Sequence, residues 1–303
     1  MIKSAFVTGA SGFVGSRLSA RLLQSGWQVQ TSPLRLLSEP AQWQAAFASV
    51  RCVVHLAAHV HKMKMDPDGE FKYTQINAEG SRFVAEQAVR AGVERVVFLS
   101  SVKVNGEGGK ESYQADDLPN PSDAYGRSKL VAEEAIRQVC ESGGVQYVVI
   151  RPPLVYGPGV KANFRSMMRW VDRGLPLPLG SVRNRRSLVG VSNLVSFIET
   201  CMLHPRATSN TWMIADGEPI STPQILRTIA RHMNRNLMMY RFPPSWLSSL
   251  GGIFGLRSQI ARLCDSLIVD DAPAREELGW RPVLSFDEEI AETVAAYRNE
   301  NAA

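Results

Sequence analysis

Along the first half of the chain, short apolar runs alternate with stretches in which apolar residues return every three or four positions. The runs Ala5 to Thr8, Gln28 to Thr31, Cys52 to Ala57 and Arg95 to Ser100 predict four strands. Val14 to Gln24 and Ala78 to Ala91 read as the crossover helices between them, the second through Ala78, Phe83, Ala85, Ala88 and Val89 with charges interposed. A further helix is predicted from Ala124 to Glu141, feeding a strand at Val145 to Ile150, with Gly143-Gly144 as the stop signal. Strands alternating with amphipathic helices predict an α/β fold with a doubly wound parallel sheet. After residue 156 the rhythm breaks at Tyr156-Gly157-Pro158-Gly159 and at the proline-rich Gly174 to Pro178, where a second, smaller lobe is expected. Asn193 to Leu203 and Asn210 to Ala215 read as a helix and a strand that could return to the sheet. Thr222 to Met233 and Asp287 to Tyr297 read as helices that complete the lobe.

Composition narrows this picture only a little. The 303 residues carry 34 Lys+Arg against 29 Asp+Glu, a net charge of +5. So mild an excess suits an anionic small molecule as well as nucleic acid, and no nucleic-acid-binding motif is present. Cys52, Cys140, Cys201 and Cys264 form no CxxC pair and have no histidines at ligand spacing, so no metal is expected, and a reducing cytoplasm is. The N-terminal residues lack the apolar core of a secretory signal. The apolar stretch Trp246 to Leu256, interrupted by three glycines, falls short of the ~20 residues that span a bilayer, so no membrane span is expected.

Candidate chemistry begins directly after the first predicted strand. Thr8-Gly9-Ala10-Ser11-Gly12-Phe13-Val14-Gly15 opens a helix with glycines three apart. Gly9 permits the turn, Gly12 lets backbone N–H groups approach a pyrophosphate, and Gly15 lets the helix pack on the strand with its positive end toward the anion. The context predicts a Rossmann-like dinucleotide site formed by Gly9, Ser11, Gly12, Phe13, Val14 and Gly15. No acidic residue follows about 20 positions on, where it would hold the adenosine ribose. The second strand runs instead into Ser32-Pro33-Leu34-Arg35, whose Ser32 and Arg35 could accept a 2′-phosphate, leaving NAD and NADP both open. The stretch from Arg35 to Val50 reads as too short for a full strand and helix.

Tyr125 and Lys129, in Ser122-Asp123-Ala124-Tyr125-Gly126-Arg127-Ser128-Lys129, stand four apart on one helix face. A tyrosine with an ordinary pKa near ~10 is a poor base at neutral pH, and a neighbouring ammonium favours its phenolate, which makes the pair a candidate acid-base couple. A strand ending Phe98-Leu99-Ser100-Ser101 precedes it, and ligands of open α/β sheets lie at the C-terminal strand ends, so Ser101 could hydrogen-bond the reacting oxygen.

With these features in hand the chain resembles an extended short-chain dehydrogenase/reductase of the nucleotide-sugar epimerase/dehydratase/reductase family. The likeness also includes His55-Leu56-Ala57-Ala58, Asn77 in Ile76-Asn77-Ala78-Glu79-Gly80, and Arg151-Pro152-Pro153-Leu154-Val155-Tyr156-Gly157-Pro158-Gly159. It implies a Rossmann domain from 1–156 plus about 188–217, and a mixed substrate lobe from about 157–187 plus 218–303. It further implies that Ser101, Tyr125 and Lys129 are catalytic, with Tyr125 and Lys129 also on the cofactor, Lys129 at its nicotinamide ribose. Leu56, Ala57, Ala58, Asn77 and Ser100 would line the cofactor, Pro152 and Val155 would flank its nicotinamide, and Asn163 and Arg186 would hold a UDP-linked sugar. A planar guanidinium suits the diphosphate. A cytoplasmic homodimer is expected, with Trp280 of the Glu276-to-Pro282 tail packed structurally against the lobe.

Two positions depart from the family pattern. Gly190 and Ser192 stand where relatives often carry an aromatic or histidine and an aspartate. Lys103 stands where many epimerases have a small hydroxyl residue, and is a candidate substrate contact. The segment Ser101-Val102-Lys103-Val104-Asn105-Gly106-Glu107 resembles that of enzymes reducing UDP-4-keto-6-deoxy-N-acetylhexosamines at C4 in polysaccharide biosynthesis, which is the activity expected first. The alternatives are a UDP-sugar 4-epimerase and, in another class, a non-catalytic NADP-binding sensor or assembly protein.

Overall fold

A computed structural model describes residues 3–31, 39–59, 71, 73–243, 246–247 and 257–302. Six parallel strands form the main sheet: β1 (Ser4–Thr8), β2 (Gln28–Thr31), β3 (Cys52–His55), β4 (Arg95–Leu99), β5 (Gln146–Arg151) and β8 (Asn210–Met213). Their order is β2-β1-β3-β4-β5-β8, so connections leave β1 in opposite directions and open the crevice in which such sheets bind ligands. The residues of the inner strands alternate between two cores, whereas β2 at the edge is exposed to half-buried. Ala5, Val7, Val54, Val97 and Ile150 pack with Leu18, Leu194 and Phe197 on one face, whereas Phe6, Val53, Phe98 and Val149 pack with Phe47, Val84, Ala88 and Ile136 on the other. Burial on both faces is why the inner strands β1, β3, β4 and β5 are mainly apolar rather than alternating with polar residues.

The helices are α1 (Phe13–Gln24), α2 (Pro40–Phe47), α3 (Gly80–Arg90), α4 (Ala124–Gly143), α5 (Ala162–Asp172), α6 (Val191–Leu203), α7 (Thr222–Met233), α8 (Arg257–Cys264), α9 (Ala272–Glu277) and α10 (Phe286–Ala302). A π-helical turn at Tyr73–Glu79 leads into α3, where the sequence predicts one continuous α-helix from Ala78. The segment after β2 holds α2, started by Pro40 and by the reciprocal capping of Glu39 and Gln42, although its length suggests no full helix; β2 lies at the sheet edge. Asp123 caps α4, and Gly144 ends it in the left-handed conformation at φ 66°, as the glycine pair predicts. The strand at Asn210 returns to the sheet beside β5.

A small second sheet pairs β6 (Leu154–Tyr156) with β7 (Leu188–Gly190). A third core joins Tyr156, Phe164 and Met168 to Ile225, Ile229, Ile290 and Val294. Trp280 does not belong there: it packs edge-on against Phe197 of α6, with ring centroids 5.2 Å apart, in the core beneath the main sheet. That core holds Leu18 and Leu22 of α1 and Leu194, Phe197 and Ile198 of α6, which give the indole its apolar partners.

Candidate active site

The glycine turn is built as its spacing requires. Gly9 has φ +69°, and a Cβ there would lie 2.8 Å from the Ala57 backbone nitrogen. At Gly15 a Cβ would come within 2.1 Å of the Gly9 carbonyl oxygen, so α1 packs on the turn only with glycine there. Gly12 is exposed and caps α1 without a side chain, leaving the first-turn N–H groups and the positive helix end to an anion. Ser11 is exposed beside it, and Phe13 and Val14 are half-buried. This cradle fits a dinucleotide pyrophosphate. Ser32 and Arg35, the candidates for a 2′-phosphate, lie outside the described residues.

Thr8, at the end of β1, ties the turn to the next strand. Its Oγ1 accepts from the N–H groups of Leu56 and Ala57 at 3.2 Å each and lies 2.7 Å from His55 Nδ1. His55 Nε2 lies 2.9 Å from Ser81 Oγ, and its ring stacks on Phe98. Burial, followed by the charge of Lys129, pushes the imidazole down to about 3, so His55 is a neutral structural bridge at physiological pH. Sequence reasoning placed His55 within a motif without finding this role, because its partners come from three separate elements.

Asn77 is buried and binds its neighbours from both ends of its amide. It accepts from His59 N–H at 2.7 Å and donates to His59 O and Ser128 Oγ at 3.1 and 3.0 Å. Since Ser128 Oγ donates to the Tyr125 carbonyl at 2.8 Å, Asn77 ties the segment after β3 to the helix bearing the tyrosine. The Ser100 hydroxyl is turned into the protein as well, donating to Glu133. Glu133 in turn receives Arg151 in a bidentate pair with both side chains buried. Neither Glu133 nor Arg151 was singled out by sequence reasoning as a partner of the site, since they meet only when α4 packs on β5.

At the C-terminal end of β4 lie Ser101 and the ammonium of Lys129, which fastens there the helix that carries Tyr125 one turn earlier. Lys129 is buried, donates to the Leu99 carbonyl at 2.8 Å and holds its ammonium 4.5 Å above the centre of the Phe98 ring. Burial pushes this amine down to about 7, against a smaller upward pull from Glu133. Tyr125 is half-buried, its ring edge-on to Tyr73 at 6.0 Å. Burial, then the charge of Asp123 and the neighbouring Tyr73, pushes the phenol above its ordinary value. The sequence suggests instead that the Lys129 ammonium favours the phenolate; with Nζ held by Leu99, the upward influences prevail in this state. Ser101 is half-buried in extended backbone, and its Oγ accepts the Lys103 N–H at 3.3 Å.

Lys103 itself is ion-paired with Asp123 and, at 2.6 Å, with Glu107. Arg262 of α8, which the sequence did not single out, comes within 3.9 Å of Glu107. Arg186 donates to the Asp265 carbonyl at 2.8 Å, and its backbone pairs with Ile220 and Leu267. Burial lowers its guanidinium from the usual range, with Asp265, Glu107 and Arg262 all acting on it, so the two arginines share one neighbourhood. A cleft of about 500 Å³ lined by Glu107, Lys110, Cys264 and Asp265 adjoins them. Asn163 is half-buried in the first turn of α5, Pro152 is buried with its carbonyl on Val102 N–H, and Val155 is half-buried in β6. Ala57 and Ala58 lie just past β3, which ends at His55, earlier than the apolar run suggests.

The altered strand end at Gly190 has a compensating structure. Asp216 accepts the Gly190 N–H at 2.8 Å, and Glu289 of α10 accepts from Ser192 Oγ at 3.2 Å. A Cβ on Gly190 would lie 2.7 Å from the Glu289 carboxyl, so glycine there makes room for it. Among the described residues no group of three acidic, histidine or cysteine side chains could hold a metal, and no helix is long and apolar enough to cross a membrane.

Residues 5–215 match the model of the NAD dependent epimerase/dehydratase family. The chain belongs to that family. It is an NAD-dependent enzyme of the extended short-chain dehydrogenase/reductase type, with the Rossmann-like fold expected. A UDP-glucose 4-epimerase of Vibrio cholerae is 36% identical, over 99% of this chain and 97% of that protein. An Escherichia coli O157:H7 N-acetyl-alpha-D-glucosaminyl-diphospho-ditrans,octacis-undecaprenol 4-epimerase is 26% identical over 86% of this chain and 81% of its own length. Among solved structures, MoeE5 in complex with UDP-glucose and NAD superposes with a TM-score of 0.77, covering 98% of this chain and 99% of that one at 24% identity. At that identity the likeness shows the fold.

Proposed function

We propose that this enzyme is a UDP-hexose 4-epimerase, using Tyr125 to move the proton of the C4 hydroxyl. The observation that carries the reading is the Lys129 hydrogen bond to the Leu99 carbonyl at 2.8 Å, which seats the tyrosine helix at the end of the serine-bearing strand. The 36% identity to the Vibrio cholerae 4-epimerase supports the reaction. In this reading Gly9, Gly12 and Gly15 receive the pyrophosphate, with Leu56, Ala57 and Ala58 along the dinucleotide and Pro152 and Val155 beside its nicotinamide. Bound NAD supplies a hydride acceptor that can return the hydride to either face of the sugar. Tyr125 takes the hydroxyl proton and gives it back, Ser101 orients the same oxygen, and Lys129 holds the nicotinamide ribose. Arg186 binds the diphosphate in a forked geometry, with Asn163 on the sugar nucleotide.

The proposal includes the division into a Rossmann domain (1–156 plus about 188–217) and a substrate lobe (the remainder). It also includes a cytoplasmic homodimer, a setting that suits the four free thiols.

The likeness of the Ser101-to-Glu107 segment favours a second reading, a UDP-4-keto-6-deoxy-N-acetylhexosamine 4-reductase. Incubation with UDP-hexoses and sub-stoichiometric NAD separates them. Interconversion of C4 epimers without net NADH change, read by NMR and absorbance, is expected. Inert UDP-hexoses together with stoichiometric NADH consumption on the keto sugar would replace the epimerase by the reductase.

A further inference from the structure

Lys103 touches Ser101 and the start of the helix that bears Tyr125 through all three of its polar groups. Its N–H donates to Ser101 Oγ at 3.3 Å, its ammonium pairs with Asp123, and its carbonyl lies against Gly126, where an added Cβ would approach to 2.6 Å. Asp123 is the cap of α4: one oxygen accepts the Gly126 N–H at 2.7 Å while the other holds Lys103. Tyr125 lies two residues beyond that carboxylate, in the first turn of the helix. Building on the acid-base reading of Tyr125, we propose that Lys103 is a positioning residue for Tyr125, holding Asp123 on the helix end and offsetting its charge beside the phenol.

The groups around the phenol make the direction of the effect plain. Asp123 faces it from the helix cap and Tyr73 from the π-helical turn, with His59 behind Tyr73 at 5.3 Å between ring centroids. Lys129, on the same helix, has its ammonium on the Leu99 carbonyl. Asp123 keeps its carboxyl below the ordinary value although burial opposes this, because Lys103 and the Gly126 N–H hold the ionised form. Removing the ammonium leaves that negative charge near Tyr125 offset only by the Gly126 N–H and the Arg262 guanidinium, so the phenol gives up its proton at higher pH. Glu107, backed by Arg262, holds Lys103 from its other side and keeps the ammonium in register. In this arrangement Lys103 acts through Asp123 and not by touching the sugar.

The test is the pH profile of kcat for UDP-hexose turnover by the NAD-loaded enzyme, measured for Lys103→Met, Lys103→Arg, Asp123→Asn and the Lys103→Met/Asp123→Asn pair. Asparagine caps helices about as well as aspartate, so the Asp123→Asn background keeps the fold. Lys103→Met is expected to move the ascending, acid-side limb up by about one pH unit and so to lower kcat at neutral pH about tenfold, with KM little changed. Arginine restores the profile, and in the Asp123→Asn background the methionine has no further effect on it. A large KM rise with an unmoved profile would make Lys103 a substrate contact and overturn the proposal, as would an equal shift in the Asp123→Asn background. Tyr125→Phe run alongside separates the failures: an active phenylalanine variant ends the acid-base reading and this one with it, whereas an inactive one beside an unmoved Lys103→Met profile ends this one alone.

Discussion

A phenol that burial makes reluctant to ionise needs help from its surroundings if it is to exchange protons near neutral pH, and at Tyr125 that requirement governs the proposed chemistry. Tyr125→Phe keeps the ring against Tyr73 and removes only the hydroxyl, so it is expected to lower kcat by about 10²–10⁴-fold while leaving NAD affinity unchanged by calorimetry. A parallel loss of NAD affinity would instead make the hydroxyl part of the cofactor site. At Gly15 the obstacle is steric, since a Cβ would stand 2.1 Å from the Gly9 oxygen. Gly15→Ala therefore forces α1 off the turn, and NAD binding should weaken by at least about tenfold in the same calorimetric assay. Both residues are legible in the sequence because their partners lie within a few positions and their spacing alone carries the signal. Arg262 and Glu289 are not, because their meaning comes from contacts across long separations such as the 97 residues between Ser192 and Glu289.

Elements bring those distant residues together, and two such junctions carry testable energetics. Helix α4 is fastened to β5 by the buried Glu133–Arg151 pair, in which Glu133 also accepts from the Ser100 hydroxyl and Arg151 also donates to Asn105 Oδ1 and the Ala115 carbonyl. Removing one partner leaves a buried charge, so Arg151→Met should cost about 3–5 kcal/mol in urea unfolding. A loss under about 1 kcal/mol would show that water reaches the pair. Helix α10 meets the small sheet through Glu289, whose carboxyl burial pushes up to about 7 while its bonds from Ser192 pull the other way. The folded protein thus keeps a proton that the unfolded chain releases above about pH 4.3, and stability falls as pH rises from there to about 7. Glu289→Gln abolishes this dependence. Its melting midpoint should exceed the parent's by about 2–4 °C at pH 8 and equal it at pH 4, and an equal difference at both pH values would contradict the assignment. The periodicities locate every strand of the main sheet, yet the π-helical turn and β3's early end escape them. Asn77 and Thr8 form cross-element hydrogen bonds there, and tertiary contacts override local pattern.

In the whole molecule, the parallel sheet brings the ends of β1, β3 and β4 to one side, where the glycine turn, the Thr8–His55 bridge and the Tyr125–Lys129 helix meet. The doubly wound plan was legible because strands buried on both faces must be apolar while their crossover helices are amphipathic. The seat of Trp280 was not, since an indole in the tail fits any apolar surface and only the assembled core selects Phe197. The function proposed for this plan requires a tyrosine hydroxyl and a nicotinamide to converge on one sugar carbon. The most direct test is a single-turnover experiment in which the NAD-loaded enzyme is mixed with a UDP-hexose and absorbance at about 340 nm, where reduced nicotinamide absorbs, is followed. A burst of reduced cofactor that slows by about 10²–10⁴-fold in Tyr125→Phe is the predicted result. A burst of equal rate in both proteins would contradict it.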